Sequence, residues 1–251
     1  MFPSMSPSHK TASSMETVLV VGSTGHIGVS AVMAALKSKR KVLAIVRNQA
    51  SAQKLIKAVG SAEGITLAYA DITSDTGVRD VVQRVRAGEL PEFQHVYACA
   101  GGLYGPPPLP DLSLEELHRY MNVDFETNFF AYRETIRYLH QQDHGNSTWT
   151  LCVGSQGDLA MLPAPAMTQG ALYSMATAAA RDNEFTNVRF NEVYLNLRVE
   201  VDEVAAKNGT VPSSTFASVY EQLLSRADIR SSRVRVDNLE DMKTLKWAKK
   251  F

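Results

Sequence analysis

The sequence predicts a single-domain α/β protein in which a doubly wound parallel sheet carries helices on both faces. Three observations predict this class. Short apolar runs rich in β-branched residues alternate with helical segments of about ten residues, a glycine-rich turn follows the first run, and no repeat or linker divides the 251 residues. Strands that alternate with helices pair in parallel through right-handed crossovers. A ligand site is then expected at the carboxyl ends of the strands.

The elements follow one another in this alternating order. The predicted strands cover residues 17–21, 41–46, 65–70, 95–100, 149–153, 188–195 and 233–236. The predicted helices cover residues 29–37, 51–59, 78–86, 114–139, 170–181 and 214–225. Four lysines between residues 243 and 250 are expected on the solvated face of a C-terminal helix or tail.

Composition limits the classes of function. Lysine plus arginine and aspartate plus glutamate both number 26, so net charge gives no reason to expect nucleic acid or an anionic membrane as a partner. Residues 1–16 are rich in Ser, Pro, Thr and Met without the apolar core of a secretory signal, and predict a disordered tail before a domain at 17–251. The scattered histidines predict no metal site, and we expect a cytoplasmic protein.

A phosphate-binding loop is predicted between the first strand and the first helix. It consists of Gly22, Ser23, Thr24, Gly25, His26, Ile27 and Gly28. Glycine allows the tight turn, the approach of the backbone to a pyrophosphate, and the packing of helix on strand. The amino end of the helix then offers N–H donors to the phosphates. The pattern predicts dinucleotide binding in a Rossmann-like fold.

The end of the second strand indicates which dinucleotide binds. An NAD enzyme places a carboxylate there to hold the ribose 2′-hydroxyl, whereas this chain has Val46-Arg47-Asn48. Arg47 can form a charge-assisted pair with a 2′-phosphate. NADP(H) is therefore the predicted cofactor.

From residue 17 to residue 238 the chain resembles the short-chain dehydrogenase/reductase family. The glycine loop is similar to that of the extended and atypical branches. Asp71 and Ile72 resemble the pair that contacts adenine, and Ala100, Gly101 and Gly102 stand at the family's Asn-Asn-Ala-Gly strand end. Asn128 resembles the helix asparagine, and Ser155 the catalytic serine. The resemblance implies these roles, and a homodimer or homotetramer.

The sequence departs from the family at the catalytic tyrosine and lysine. The segment from Gln169 resembles the helix that begins at the lysine, which places Gln169 at the lysine position and Pro165 at the tyrosine position. A competing register makes Tyr173 the tyrosine, but Thr177 then replaces the lysine. Both registers lack the lysine. Gln169 is expected beside the cofactor ribose.

Because the proton donor is missing, we do not expect ordinary ketone reduction. That reaction generates an alkoxide, which needs an acid or an oxyanion site. A pre-activated substrate such as an iminium needs no proton during hydride transfer. Asp158 is the candidate anion near that cation, Arg133 a further candidate facing the site, and residues 159–167 a candidate apolar wall for a hydrophobic small molecule. The resemblance extends to iminium reductases of secondary metabolism, including alkaloid pathways, that also guide a cycloaddition.

Two alternatives remain open. The fold could orient a hydrophobic precursor for cyclisation or isomerisation without redox chemistry, as a Diels-Alderase-like cyclase does. It could also be a catalytically inactive, NADP-sensing regulator, for which the only support is the missing catalytic pair.

Overall fold

The computed structural model describes residues 15–103 and 105–251. The strands are β1 (Thr17–Val21), β2 (Lys41–Val46), β3 (Ile65–Tyr69), β4 (His95–Ala98), β5 (Thr148–Gly154), β6 (Arg189–Leu195), β7 (Val199–Glu200), β8 (Val211–Pro212), β9 (Ser232–Val236) and β10 (Lys246–Lys249). The helices are α1 (His26–Lys37), α2 (Gln49–Val59), α3 (Gly77–Arg86), α4 (Leu114–Tyr120), α5 (Thr127–Gln142), α6 (Gln156–Leu159), α7 (Pro163–Asp182), α8 (Asp202–Asn208), α9 (Ser213–Ser225) and α10 (Leu239–Lys243).

Among the described residues, eight strands form one sheet in the order β3-β2-β1-β4-β5-β6-β9-β10. Every pairing is parallel except that of β10 with β9. Helices α1, α2 and α9 contribute to the apolar core on one face, and α3, α5 and α7 to the core on the other. The predicted doubly wound α/β fold is confirmed.

Strands β1, β2 and β4 are buried almost throughout because helices cover both faces of the sheet. The winding changes direction between β1 and β4, where the chain leaves for opposite sides of the sheet. A crevice opens at such a switch point, at the carboxyl ends of the strands.

Three elements differ from the prediction. Helix α7 begins at Pro163, seven residues before the expected start, because a proline in the first helical turn lacks only an N–H that has no helical partner. The long helical region expected at 114–139 contains a π-helical turn, Met121–Glu126, between α4 and α5. Two of the four C-terminal lysines, Lys246 and Lys249, lie on the edge strand β10, whereas Lys243 ends α10 and Lys250 follows β10.

The first fourteen residues of the expected N-terminal tail lie outside the described residues. Glu16, which was counted with that tail, forms an ion pair with Arg40 and a hydrogen bond with the His95 ring. No helix in the described ranges has the length and hydropathy needed to cross a bilayer.

Candidate functional site

The glycine loop lies at the switch point and is tightly packed. A Cβ on Gly28 would be 2.1 Å from the Gly22 carbonyl oxygen, so only glycine fits where α1 crosses the end of β1. Gly22 has φ +89°, and a Cβ there would be 3.0 Å from the Ala100 nitrogen. The loop therefore rests directly on the end of β4, and the first turn of the 12-residue helix α1 points its free N–H groups to the crevice.

A cavity of about 180 Å³ lies next to this loop. Its lining consists of Gly22, Thr24, Ile45, Val46, Arg47, Ser51, Ala70 and Ile72. Four of the residues predicted for cofactor binding, Gly22, Thr24, Arg47 and Ile72, thus surround one space. Its position at the ends of β1, β2 and β3 is where an adenosine half would lie.

Ser51 is a lining residue that the sequence did not single out. The Asn48 side chain caps α2 by accepting the Ser51 N–H at 2.9 Å. Ser51 thereby comes to lie within the first turn of α2, on the same cavity as Arg47. The Asn-x-x-Ser spacing after a strand was the available signal, since asparagine is a preferred N-cap.

Two loop side chains have structural partners. Ser23 is fully buried and donates its hydroxyl to the Ile45 carbonyl oxygen at 2.6 Å, which ties the loop to β2. Its side chain is therefore not available to a cofactor, which corrects the expectation for Ser23. The exposed His26 accepts the Val201 N–H on Nδ1 at 3.0 Å and so holds the segment after β6 against the loop.

The remaining loop residues and Asp71 have simple environments. Gly25 donates its N–H to Gly22 at 3.2 Å and forms the tight turn, while Ile27 packs against the core. Asp71 is exposed and accepts from the Thr73 hydroxyl and backbone N–H, and these bonds lower the pKa of the Asp71 carboxyl. Asp71 lies outside the lining of the 180 Å³ cavity, unlike its neighbour Ile72.

The chain that leaves β4 is held from α5. The Asn128 amide donates to the Ala100 carbonyl oxygen at 2.9 Å and accepts the Ala100 N–H at 3.2 Å. One turn earlier, Asp124 accepts the Gly102 N–H at 3.0 Å. Asn128 is thus fully buried and acts on backbone, and the glycine pair Gly101–Gly102 lies between the glycine loop and the end of β5.

Ser155 follows β5 and is partly exposed at the carboxyl edge of the sheet. Two side chains of α7 reach the residue before it: Gln169 Oε1 accepts the Gly154 N–H at 2.7 Å, and the Tyr173 hydroxyl donates to the Gly154 carbonyl oxygen at 2.6 Å. Pro165, Gln169 and Tyr173 are four residues apart and share one helix face. This face is directed at the end of β5.

The surroundings of Tyr173 raise the pKa of its hydroxyl. Burial first, and then the Asp158 carboxylate, raise the pKa of the Tyr173 hydroxyl well above its usual value. The guanidinium 4.4 Å above its ring belongs to Arg233, whose charge is paired with Glu192 at 2.6 Å. The Lys250 ammonium contacts the Tyr173 backbone oxygen at 3.3 Å, not the hydroxyl.

Asp158 is exposed on α6, with its charge directed toward β6 and β9. Burial and a hydrogen bond to Asp158 raise the pKa of the Tyr194 hydroxyl, and Asp158 also acts on Arg233 and Arg235. The two guanidinium groups have carboxylate partners of their own, Glu192 and Asp237. The role of Asp158 as the anion for an iminium stays a prediction.

Arg133 is not part of the site. Its guanidinium donates to Glu134 at 2.6 Å and to the Asp75 carbonyl oxygen at 2.7 Å, and it lies over the Phe129 and Phe130 rings. Asn128 and Arg133 are five residues apart, which places them on different faces of a helix. The expectation that Arg133 faces the crevice is wrong.

A second cavity, of about 620 Å³, lies away from the glycine loop, over β9 and β10. Its lining includes Arg233, Lys246 and Lys250. These cations are paired with Glu192 or Asp241. We assign no ligand to this cavity, because these cations already have carboxylate partners.

The comparisons with known proteins agree with this geometry. The family model of the short chain dehydrogenases matches residues 16–199. The short-chain dehydrogenase/reductase iacG of Pestalotiopsis fici is 51% identical over 240 residues, which cover 94% of this chain and 96% of that relative. This chain therefore shares its family assignment with a relative of nearly the same length.

Solved structures share the fold. A short-chain dehydrogenase/reductase of the glucose/ribitol dehydrogenase type from Brucella melitensis has a TM-score of 0.73 and 17% identity, over 89% of this chain and 96% of that one. ElxO with NADP bound has a TM-score of 0.73 and 14% identity, over 86% and 94%. With the family model covering most of the chain and a glycine loop at the switch point, the protein belongs to the short-chain dehydrogenase/reductase family.

Proposed function

We propose that this protein is an NADPH-dependent reductase of a hydrophobic small molecule that is already activated as an iminium or a conjugated system, with a role in secondary metabolism. The observation that carries the proposal is the environment of Tyr173. The Tyr173 hydroxyl donates a hydrogen bond to the Gly154 carbonyl oxygen, and its pKa is raised. A reductase that lacks a ready acid is suited to substrates that need no proton when they are reduced.

The adenosine half of NADPH fits the residues at the ends of β1, β2 and β3. Arg47 and Ser51 line the cavity there and would hold a 2′-phosphate, with the amino end of α2 adding favourable dipoles. The first turn of α1 would hold the pyrophosphate. When bound, the nicotinamide supplies a hydride.

The other half of the site would orient the substrate. Ser155 and the backbone fixed by Asn128 offer hydrogen bonds at the ends of β5 and β4. Leu159, Met161 and Met167 are 50%, 74% and 40% exposed on the adjoining segment, and give it an apolar surface unusual for a free loop. This surface fits a hydrophobic substrate, whose binding would exclude water from the reacting atoms.

The proposal is tested with NADPH and two probes of equal size, N-methyl-dihydroisoquinolinium and tetralone. We expect the nicotinamide absorbance to fall at least about tenfold faster with the iminium, because only the ketone needs an acid worth several kcal/mol. Reduction of both probes at equal rates would contradict the proposal.

Two other outcomes would replace the proposal. Conversion of a polyene or conjugated imine precursor without any fall in the nicotinamide absorbance would identify a non-redox cyclase or isomerase. Tight NADPH binding without turnover of any activated probe would identify a cofactor-sensing regulator.

A further inference from the structure

A buried carboxylate stands behind the backbone that follows β4. Asp124 is 2% exposed, and its Oδ1 accepts the N–H groups of Gly102 at 3.0 Å and Leu103 at 3.5 Å. It lies in the π-helical turn Met121–Glu126, where the wider turn directs it and Asn128 at the same stretch of chain. π-Helical turns are uncommon and occur frequently at functional sites.

The contact between Asp124 and the loop leaves no space for a side chain at residue 101. Gly101 has φ +132°, and a Cβ there would be 2.9 Å from Asp124 Oδ1. Asn128 bonds both backbone polar groups of Ala100, so two side chains hold the loop backbone at Ala100, Gly102 and Leu103. Loops are normally mobile unless tied down in this way.

The position of this loop along the sheet gives it a role. In the strand order β2-β1-β4-β5, the end of β4 lies between the adenosine cavity and Ser155. A dinucleotide that reaches from that cavity to Ser155 must cross Ala100–Gly102. The shape of this backbone thus decides how the nicotinamide half is seated.

We propose that Asp124 is a positioning residue for the nicotinamide half of the cofactor, acting by holding the Gly101–Gly102–Leu103 backbone in its bound shape. The inference rests on the proposed use of NADPH. Asp124 touches no cofactor atom and acts only through this loop.

The protonation of Asp124 gives the proposal a measurable pH dependence. Burial, opposed by the hydrogen bonds from Leu103 and Gly102, raises the pKa of the Asp124 carboxyl to about 6. No ionisable side chain of the described residues contributes to this shift. Protonation removes the charge that strengthens both bonds, so the hold on the loop weakens as the pH falls through about 6.

The test compares fluorescence titrations of NADPH and of 2′,5′-ADP, which carries the adenosine half alone. The 2′-phosphate of both ligands and the 5′-phosphate of 2′,5′-ADP titrate near a pH of about 6, so each pH profile is compared between the unchanged protein and Asp124→Asn, which cancels these ligand groups. Between pH of about 8 and 5 we expect NADPH to lose about fivefold more affinity for the unchanged protein than for Asp124→Asn, and 2′,5′-ADP to lose the same for both.

Asp124→Asn should weaken NADPH binding about tenfold at pH of about 8 and leave 2′,5′-ADP binding unchanged. Glu126→Gln, on the same π-helical turn, is the matched control and should behave as the unchanged protein. An Asp124→Asn variant with an unchanged NADPH affinity and pH profile would overturn the inference while NADPH binding itself stands. Failure of the unchanged protein to bind either ligand would overturn the proposed cofactor as well.

Discussion

Arg47 is the residue to which we assign the proposed preference for NADPH. It follows β2 where a carboxylate would serve NAD, and it shares a cavity with Ser51. The sequence was sufficient to place Arg47 at the end of this strand, and its pairing with a 2′-phosphate stays a prediction.

Replacement of Arg47 by alanine should weaken NADPH by about tenfold to a hundredfold, since a hydrogen bond to a charged group is worth about 1.5–3 kcal/mol. NADH, which lacks the 2′-phosphate, should change by less than about twofold. Fluorescence titration measures both. Arg84→Ala, which removes an exposed arginine paired with Glu89, is the control, and equal losses for the two cofactors would contradict the assignment.

Tyr173 supports the end of β5 through its hydrogen bond to Gly154, and under the proposed function we expect it not to transfer a proton. Tyr173→Phe removes one hydrogen bond to Gly154 and should lower the free energy of unfolding by about 1 kcal/mol. Iminium reduction should remain within about twofold of the original rate. Denaturant unfolding and steady-state kinetics measure these effects, and a loss of about a hundredfold in rate would show that the hydroxyl is catalytic.

Sequence reasoning failed at residues whose role depends on direction. Arg133 is on the same helix as Asn128 but on another face, where it contacts Asp75, whereas the role of exposed Asp158 stays a prediction. Asp124 was missed because an aspartate within a long helical region gives no sign of burial. Its position four residues before Asn128 was the available signal.

The turn from β1 into α1 is the element on which the cofactor site depends. Its glycine pattern was sufficient to predict it, because glycine is required wherever a Cβ cannot fit. The start of α7 could not be predicted in the same way. Proline indicates both the end of one helix and the first turn of another, and only packing distinguishes the two.

Gly28→Ala should destabilise this turn, because the new Cβ would meet the Gly22 carbonyl oxygen at 2.1 Å. We expect a loss of about 2–3 kcal/mol in unfolding free energy and a severe loss of NADPH binding. Gly170→Ala, in α7, is the matched control, since nothing lies within 4 Å of its added Cβ. It should stabilise the protein by about 0.5–1 kcal/mol, and similar effects of the two changes would contradict the account.

The two ends of the parallel strands have different roles in the whole molecule. The carboxyl ends carry the candidate site. At the amino edge Glu16 pairs with Arg40 at 2.7 Å and with the buried His95 at 3.1 Å, which joins the starts of β1 and β4. The hydrogen bond to His95, more than any other contact, lowers the pKa of Glu16 to about 2, and burial lowers the pKa of His95.

Both shifts predict a loss of stability in acid. The folded pKa of Glu16 lies below its ordinary value of 4.5, so its contribution is complete above that pH and disappears as the pH falls toward about 2. His95 acts in the same direction, because unfolding frees it to take up a proton below its ordinary pKa of 6.5.

The Glu16 contribution is about 2–3 kcal/mol at neutral pH. Urea unfolding of Glu16→Gln and of the exposed control Glu89→Gln, at pH of about 7 and 3, measures it. We expect Glu16→Gln to lower the free energy of unfolding at pH of about 7 and to change it little at pH of about 3. An equal loss at both pH values would contradict the link between the Glu16 pKa and stability.

The most direct test of the central claim is the pH dependence of single-turnover reduction of N-methyl-dihydroisoquinolinium at saturating NADPH. This cation does not lose a proton, so its rate reports groups of the protein. Because hydride transfer to an iminium needs no acid, we predict a flat profile between pH of about 7 and 9. The ketone tetralone does need an acid, so tetralone reduction under the same conditions, at a rate that falls with rising pH and is lost in Tyr173→Phe, would show a working tyrosine acid and contradict the account.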